Sequence, residues 1–195
     1  LRPAAFYADG VVPADDAARN RLLYYRRDAG IPKHRVNWNF LVDLPFGKGK
    51  PFAGTAGRAL NTLIGGWQVA GNVSFVDAQY DDFTETVSGV AVSRAGNRPT
   101  NIPKRVGNLW LTYVPAANWE LGMDLRHVSS RYADTANTLT GDAYNLLGAF
   151  VSYKLNRTTR ITLRGKNLSD EIYAENLSGT NMVYLGAPRT FDISV

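Results

Sequence analysis

Apolar and polar residues alternate at every second position in several stretches of the chain. The clearest is 119–127, WELGMDLRH, in which odd positions up to Leu125 are apolar and even positions are charged or glycine. Successive side chains of a β-strand point to opposite faces, so this period predicts a strand with one apolar and one polar face. The pattern recurs in 36–44, 67–75, 108–113, 144–155, 161–164 and 190–195. The chain is therefore predicted to be all-β, with about seven strands.

The connections between these stretches alternate in length. Residues 115–118 and 156–159 form short links, whereas 84–105, 130–142 and 174–189 are long, polar and rich in Gly, Asn and Pro. Membrane barrels are up-and-down meanders that place short turns in the periplasm and long loops outside the cell. We expect this antiparallel arrangement here, with the final strand running down to a periplasmic C-terminus.

Two segments depart from the strand pattern, and the first lies near the N-terminus. Residues 14–27 follow Pro13 and end before Gly30 and Pro32, which predicts a helix. We place this helix in an extracellular loop formed by 1–35.

The second segment is 48–66. Its residues Ala56, Leu60, Leu63 and Ile64 have helical spacing. This spacing predicts a periplasmic connection that contains a short amphipathic turn.

The strand count indicates part of a larger object. A closed single-chain bacterial barrel has an even number of strands and no exposed edge, whereas this sequence predicts an odd number and starts in a loop. We therefore expect residues 36–195 to supply the strands and loops of one part of a barrel.

Aromatic residues lie near the ends of the predicted strands, at Trp67, Tyr113, Trp119 and Tyr153. A lipid-facing wall needs aromatic rings at its interfaces with water. A soluble β-sandwich that binds carbohydrate or protein has the same alternation, but its strands more often stop near about 5 or 6 residues. The longer runs favour a membrane wall, and the sandwich is the alternative.

Composition excludes several kinds of site. The 195 residues contain no cysteine, which excludes disulfides and thiolate metal sites. They contain no run of about 18 apolar residues that could form a membrane helix. The net charge of +5 comes mainly from arginines that are scattered or lie in loops, so we expect no binding of nucleic acid.

The candidate catalytic groups do not converge. Asp124, His127 and either Ser129 or Ser130 are the residue types of a hydrolytic triad, but on a strand Asp124 faces away from His127 and Ser129. Two histidines without cysteine offer no constellation of metal ligands. We expect neither enzyme activity nor a bound metal or cofactor.

Several motifs resemble TonB-dependent outer-membrane receptors. The segments 167–173 (NLSDEIY) and 186–191 (GAPRTF) are similar to the Asn-Leu-x-Asp-x-x-Tyr and Gly-x-Pro-Arg pair in the closing strands of that family. Similar stretches occur at 93–103 (SRAGNRPTNIP), 131–134 (RYAD) and 143–147 (AYNLL). From about residue 67 the chain therefore resembles a siderophore receptor.

Before residue 67 the resemblance is to another branch of the same receptors. The segments 43–50 (DLPFGKGK) and 65–69 (GGWQV) are more similar to receptors that carry a carboxypeptidase-regulatory-like N-terminal domain. Both parts imply the same kind of barrel.

The resemblance implies a C-terminal barrel portion of a receptor in the bacterial outer membrane, in contact with lipid. Such a receptor imports a scarce nutrient, often a ferric siderophore, with energy from TonB. We expect TonB contact only through a plug domain, which these residues do not contain, and Val195 replaces the usual terminal aromatic residue. A non-transporting surface porin or adhesin is a further alternative.

Ligand contacts are expected in the long loops and the upper lumen. Arg94, Arg98 and Arg131 can form bidentate hydrogen bonds with anionic groups, and Tyr132 and Tyr184 can stack on catecholate rings. The alternative is that these residues fix the loops or face lipopolysaccharide.

Overall fold

The computed structural model describes residues 34–179 and 182–195. Within these residues the elements are one helix and thirteen strands, with the following bounds: β1 (His34–Asp43), α1 (Arg58–Ile64), β2 (Trp67–Asp77), β3 (Thr84–Val87), β4 (Val90–Ser93), β5 (Arg105–Ala116), β6 (Trp119–Val128), β7 (Arg131–Tyr132), β8 (Thr140–Gly141), β9 (Tyr144–Lys154), β10 (Arg160–Lys166), β11 (Ala174–Ser178), β12 (Met182–Leu185) and β13 (Thr190–Ser194). The helix predicted at 14–27 lies outside the described residues.

Seven strands pair in one antiparallel sheet in the order β1, β2, β5, β6, β9, β10, β13. Each of these seven strands pairs with the one that follows it among the seven, so the predicted meander of about seven strands is confirmed. The short links β5–β6 and β9–β10 lie at one end of the sheet, which we call the short-turn end. The three long links lie at the other, the long-loop end, and 44–66 joins β1 to β2 at the short-turn end.

Register keeps one face of the sheet apolar. Leu111 of β5 pairs with Val69 of β2 and with Met123 of β6, whereas the next residue, Thr112, pairs with Gln68. Because paired residues of antiparallel strands point to the same side, apolar residues form continuous rows on one face and polar residues on the other. We call these the apolar face and the polar face.

Hydrogen bonds between side chains cross the polar face. The Asn108 amide donates to Asn72 at 2.8 Å, and Arg126 donates to Asn108 at 3.2 Å. Ser152 and Thr162 share a hydrogen bond of 2.7 Å. This face therefore holds strand neighbours together through polar groups.

The polar face also carries ion pairs and apolar exceptions. Arg160 lies 2.9 Å from Glu120, and Lys166 lies 2.9 Å from Asp192. Trp110, which pairs with Asp124, is one apolar exception. Leu41 and Phe150 lie on the same face, because Leu41 pairs with Ala70 next to Trp110 and Phe150 pairs with Arg164. The alternation is thus consistent in its period but not in every side chain.

Two aromatic pairs lie on the apolar face at the short-turn end. Trp67 stacks on Tyr113 with ring centroids 4.3 Å apart, and Trp119 lies 4.7 Å from Tyr153. The strand ends that the sequence marked as aromatic therefore line up across neighbouring strands.

The long connections contain small hairpins that the sequence pattern did not indicate. The pairs β3–β4, β7–β8 and β11–β12 each form a separate two-stranded sheet. Their strands have two to five residues, which is too short for a period of two to stand out.

The buried apolar side chains of the described residues lie at the long-loop end, not in the main sheet's centre: Ala78, Val128, Ala133, Tyr144 and Leu177. On the apolar face, Met123 and Leu163 are 50% and 44% exposed. The sheet has no internal core of its own, whereas the loops and the strand ends next to them form a small one.

Candidate ligand-binding loops

Three long loops meet at the long-loop end. We call them loop A (78–104), loop B (129–143) and loop C (167–189), of which residues 180 and 181 are not described. Loop A follows β2, loop B follows β6 and loop C follows β10, so every second strand delivers one loop to the same end. The meander thereby brings together residues far apart in sequence.

Asn101 joins all three loops. Its backbone N–H donates to the Tyr132 carbonyl of loop B at 2.9 Å. Its side-chain oxygen accepts from the Leu177 N–H of loop C at 2.9 Å, and its side-chain NH₂ donates to the Leu177 carbonyl. The backbone has φ 60, a conformation that asparagine adopts more readily than other non-glycine residues.

Arg131 ties loop B to loop C from a buried position. Arg131 is only 4% exposed. The guanidinium donates to the Ala174 carbonyl at 2.5 Å and to the Asn101 side chain at 3.4 Å, and it lies 5.8 Å from the Tyr144 ring centroid. Hydrogen bonds and a cation–π contact thus compensate this burial.

Arg98 is anchored through its backbone more than through its side chain. Its N–H donates to Asn137 at 2.7 Å, and the Asn137 NH₂ returns a bond to the Arg98 carbonyl at 2.9 Å. The guanidinium reaches only the Val76 carbonyl, at 3.4 Å. Its Nε is buried with no hydrogen-bond partner among the described residues. Burial lowers the pKa of Arg98, and the charge of Asp77 opposes this shift.

Glu85 and its partners link loop A to loop B. The Glu85 carboxylate accepts from the Thr135 hydroxyl at 2.7 Å and from Arg94 at 3.0 Å. These two hydrogen bonds lower the pKa of Glu85, because both favour the charged form. Arg94 is therefore engaged by a carboxylate of its own loop.

Asp134 closes loop B on itself. Its carboxylate accepts from the N–H groups of Thr138 and Leu139 at 3.0 and 2.8 Å and from the Thr138 hydroxyl at 2.7 Å. Burial raises the pKa of Asp134, but these hydrogen bonds outweigh it, so that the pKa lies below its ordinary value. The short β7–β8 hairpin is thus stabilised by a side chain.

A cavity of about 750 Å³ opens among the three loops, lined by Glu85, Thr100, Asn101, Ala133, Asp134, Thr135, Asn176, Leu177, Gly179 and Tyr184. Amides, hydroxyls and two carboxylates dominate its lining. Tyr184, which is 51% exposed, supplies an aromatic ring. The volume lies in the usual range for small-molecule sites, about 300–1,000 Å³.

A second cavity, of about 180 Å³, lies where loops A and B leave the sheet, lined by Arg98, Lys104, Arg105, Ser129, Ser130, Arg131, Tyr132 and Thr140. Four of these eight residues are cationic and none is acidic. The other four carry hydroxyl groups. This cavity is therefore suited to an anionic group, in contrast to the larger one.

The structure brings together three of the five residues predicted to contact a ligand. Arg98, Arg131 and Tyr132 line the smaller cavity. Tyr184 lines the larger one. Arg94 lines neither, but it is bonded to Glu85, which lines the larger cavity.

The sequence did not indicate the polar residues that line the larger cavity or hold the arginines of the smaller one. Asn101, Asn137, Glu85 and Asp134 were not among the predicted residues, although all four make hydrogen bonds between or within loops. The signal available was the run of Asn and Gly residues in the loops, which marks turns with unusual backbone angles. It does not show which distant carbonyl each side chain will meet.

The described residues hold neither a cluster of metal ligands nor a helix that could span a membrane. In 34–179 and 182–195, no group of three His, Cys, Asp or Glu residues is placed to hold a metal ion. The one helix in these ranges does not have the length and hydropathy needed to cross a membrane.

Known proteins with similar sequences are outer-membrane receptors. The chain is 30% identical over 129 residues to the ferrichrome outer membrane transporter/phage receptor of Escherichia coli strain K12, covering 62% of this chain and 16% of that protein. It is 30% identical over 107 residues to the ferrioxamine receptor of Yersinia enterocolitica, covering 51% and 15%. The chain thus spans about a sixth of the length of either relative.

Solved structures show the same fold. The siderophore receptor PiuA of Acinetobacter baumannii superposes with a TM-score of 0.60 at 23% identity, covering 66% of this chain and 19% of that one. The ferric citrate transporter FecA in its unliganded form superposes with a TM-score of 0.55 at 24% identity, covering 68% and 21%. These similarities concern the fold alone.

A family model described as TonB dependent receptor-like, beta-barrel, matches residues 42–168. The match runs through residue 67, so it includes both stretches that differ in their resemblance. It excludes the soluble sandwich, and it agrees with relatives that are transporters and receptors and not enzymes. The chain therefore belongs to the TonB-dependent receptor family of outer-membrane β-barrel proteins.

Proposed function

We propose that this chain is part of an outer-membrane importer for a ferric siderophore. The seven-stranded sheet supplies part of its barrel wall, and loops A, B and C together form its loop cap. In this proposal the apolar face contacts lipid, the polar face lines the lumen and the long-loop end lies outside the cell. Residues 1–35 form an extracellular loop, and TonB acts through a plug domain outside these 195 residues. The relatives named for ferrichrome and ferrioxamine support the ligand class.

The observation that carries the proposal is the combination of a two-faced wall with interlocked loops at one end. A wall whose polar side chains hydrogen-bond across the lumen face, as Asn72, Asn108 and Arg126 do, suits a water-filled or protein-filled interior. The cavity of about 750 Å³ is lined by the loops that leave this wall at its long-loop end.

The two cavities divide the recognition of the ligand in this proposal. Tyr184 offers an exposed ring for stacking in the larger cavity. Arg98 lines the smaller one, where its guanidinium, which makes a single long bond of 3.4 Å to the Val76 carbonyl, offers a charge-assisted hydrogen bond. Arg131 and Tyr132 line the same subsite for an anionic group. Arg94 acts by holding Glu85 in the lining of the larger cavity.

Binding of a panel of ferric siderophores tests the proposal. Full-length receptor in detergent is titrated with hydroxamate, catecholate and carboxylate complexes, and quenching of tryptophan fluorescence reports the affinity. Loss of a charge-assisted hydrogen bond in Arg98→Ala is expected to weaken the preferred ligand by about tenfold or more. Tyr184→Ala should weaken it as well, whereas Tyr184→Phe retains the stacking.

Arg157→Ala is the matched control, because Arg157 is an exposed arginine in the β9–β10 turn at the opposite end of the sheet. It should bind like the unaltered protein. Heat-modifiable gel migration verifies that every variant is folded. Equal affinity of all variants for the preferred siderophore would refute the assignment of these residues, and absence of binding to any ferric siderophore would refute the ligand class.

A further inference from the structure

The connection between β1 and β2 has an exposed apolar surface at the short-turn end. We call residues 44–66 the rim segment. It contains α1, in which Leu60 and Leu63 are 49% and 70% exposed, and a turn in which Phe46 and Phe52 are 43% and 58% exposed. Four large apolar side chains in so short a stretch need a partner.

The rim segment is a built structure. The ring centroids of Phe46 and Phe52 lie 5.5 Å apart. The Phe52 N–H donates to the Pro45 carbonyl and the Gly47 N–H donates to the Phe52 carbonyl, both at 3.0 Å. The Asn61 side chain of α1 accepts from the Lys48 N–H at 2.5 Å, so the turn is attached to the helix. The exposed apolar side chains are therefore held in a defined place.

Two aromatic residues of the apolar face hold α1 against the wall. The Trp67 indole donates to the Leu63 carbonyl at 3.0 Å, and the Tyr113 hydroxyl donates to the Thr62 carbonyl. Both rings belong to the stacked pair of the apolar face at the short-turn end. Leu63 thus lies beside the apolar face and not under the lumen.

The charge of the rim segment points to a particular partner. It carries Lys48, Lys50 and Arg58, all exposed, and residues 44–66 contain no aspartate or glutamate. Basic residues next to exposed leucine and aromatic side chains characterise helices that lie in a membrane interface with anionic lipid.

We propose that the rim segment lies in the membrane interface at the short-turn end, with Leu60, Leu63, Phe46 and Phe52 among acyl chains and its three cations at anionic phospholipid headgroups. This inference rests on the proposed function, because it requires the apolar face to contact lipid. It adds a second membrane contact, which fixes the depth of the wall and is made by a connection and not by a strand.

Fluorescent labels on single cysteines test the placement. The 195 residues contain no cysteine, so a thiol introduced by Leu63→Cys or Leu60→Cys is unique within them. Labelled full-length receptor is reconstituted in vesicles of phosphatidylethanolamine and phosphatidylglycerol that carry bromine at a series of acyl depths. We expect blue-shifted emission and quenching that places the label about 5–10 Å inside the headgroup boundary.

Two control positions separate this inference from the proposed function. A label at Met123 reports on the wall, since Met123 lies on the apolar face of β6. A label at Leu139, a 39% exposed apolar residue of loop B, should remain in water. Lipid quenching at Met123 but not at Leu63 would overturn the rim placement alone. Absence of lipid quenching at both would overturn the membrane wall as well.

The quenching pattern also discriminates lipid from protein as the partner. A Leu63 label shielded from aqueous iodide but not quenched by brominated lipid would indicate a protein partner and overturn the inference. In a second arm, replacing Lys48, Lys50 and Arg58 by Gln should reduce lipid quenching of the Leu63 label in vesicles with phosphatidylglycerol. Unchanged quenching in this variant would overturn the assigned role of the cations.

Discussion

The wall and the loop cap of this protein are held together in different ways. In the wall, backbone ladders join neighbouring strands, as in the ten-residue register between His34–Asp43 and β2, and apolar side chains remain exposed on one face. In the cap, single polar side chains such as Asn101 and Asn137 bridge loops that are 30 or more residues apart in sequence. Three of the five buried apolar residues also lie there, and Val128 and Tyr144 lie at the adjoining strand ends.

The difference shows where each region obtains its stability. The wall depends on its surroundings, because an apolar face without a core must be covered by lipid. The cap depends on a few internal hydrogen bonds whose donors and acceptors would otherwise be buried and unpaired. Removal of lipid or detergent should therefore destabilise the wall before the cap. Substitution of a single asparagine should destabilise the cap before the wall.

The largest effect is expected from a charge on the apolar face. Leu111→Arg places a guanidinium in the middle of β5 on the side proposed to face lipid, at a cost of about 2–4 kcal/mol near the bilayer midplane. Urea unfolding of the reconstituted protein, followed by heat-modifiable migration, measures the loss. Thr112→Arg is the matched control, because the adjacent residue points to the polar face. Equal destabilisation by both substitutions would contradict the assignment of faces.

The next largest effect is expected at the junction of the loops. Asn101→Ala removes both side-chain bonds to Leu177 and leaves buried backbone groups unpaired, at a cost of about 1–3 kcal/mol. Faster hydrogen exchange in loops B and C, with unchanged exchange in the main strands, is the expected result. Asn118→Ala, in the β5–β6 turn, provides the control. Unchanged exchange in both loops would show that Asn101 does not hold the cap.

A smaller effect is expected from an exposed ion pair of the wall. Lys166 lies 2.9 Å from Asp192, with side chains 61% and 49% exposed. Solvent screens such pairs, so Lys166→Ala should change the free energy of unfolding by about 0.2–1 kcal/mol at low salt and by less at high salt. Urea unfolding at two ionic strengths measures this. A loss that did not depend on salt would instead indicate a packing role for the lysine stem.

The smallest effect is expected from acidification of the cap. Because the folded-state pKa of Glu85 is lowered, its contribution is fully present above the unfolded pKa of about 4.3 and is lost as the pH falls below that value through the folded pKa. The distribution of distances between spin labels on loops A and B should therefore become broader in this acidic window. Glu85→Gln should remove that part of the response and leave the part due to Asp134. A response identical to that of the unaltered protein would show that Glu85 does not link the loops.

Much of the wall could be predicted from local pattern. The stretch 119–127 reads as a strand in sequence and forms β6, Trp119–Val128. The helical spacing at 56–64 likewise predicted the place of α1, Arg58–Ile64. Periodicity reports such elements because each side chain's environment there follows from its position in one strand or helix.

The candidate site could be predicted only in part. Arginine and tyrosine residues of the loops were recognisable as ligand-binding types, and Arg98, Arg131 and Tyr132 do share a cavity. Their individual contacts were not predictable, since Arg131 is buried against Ala174 and Tyr144 while Tyr184 is exposed. Whether each of them binds a ligand stays a prediction that the variants above can test.

The sequence by itself determined the fold class, the alternation of short and long connections and the two faces of the wall, because these follow from the order of apolar and polar residues along single strands. Only the tertiary structure decided which loop residues meet. Asn101 finds Leu177 across 76 positions, and the aromatic pair Trp67 and Tyr113 meets the carbonyls of α1. Such contacts depend on strand register and loop closure, which arise from the whole sheet and leave no periodic trace in the chain.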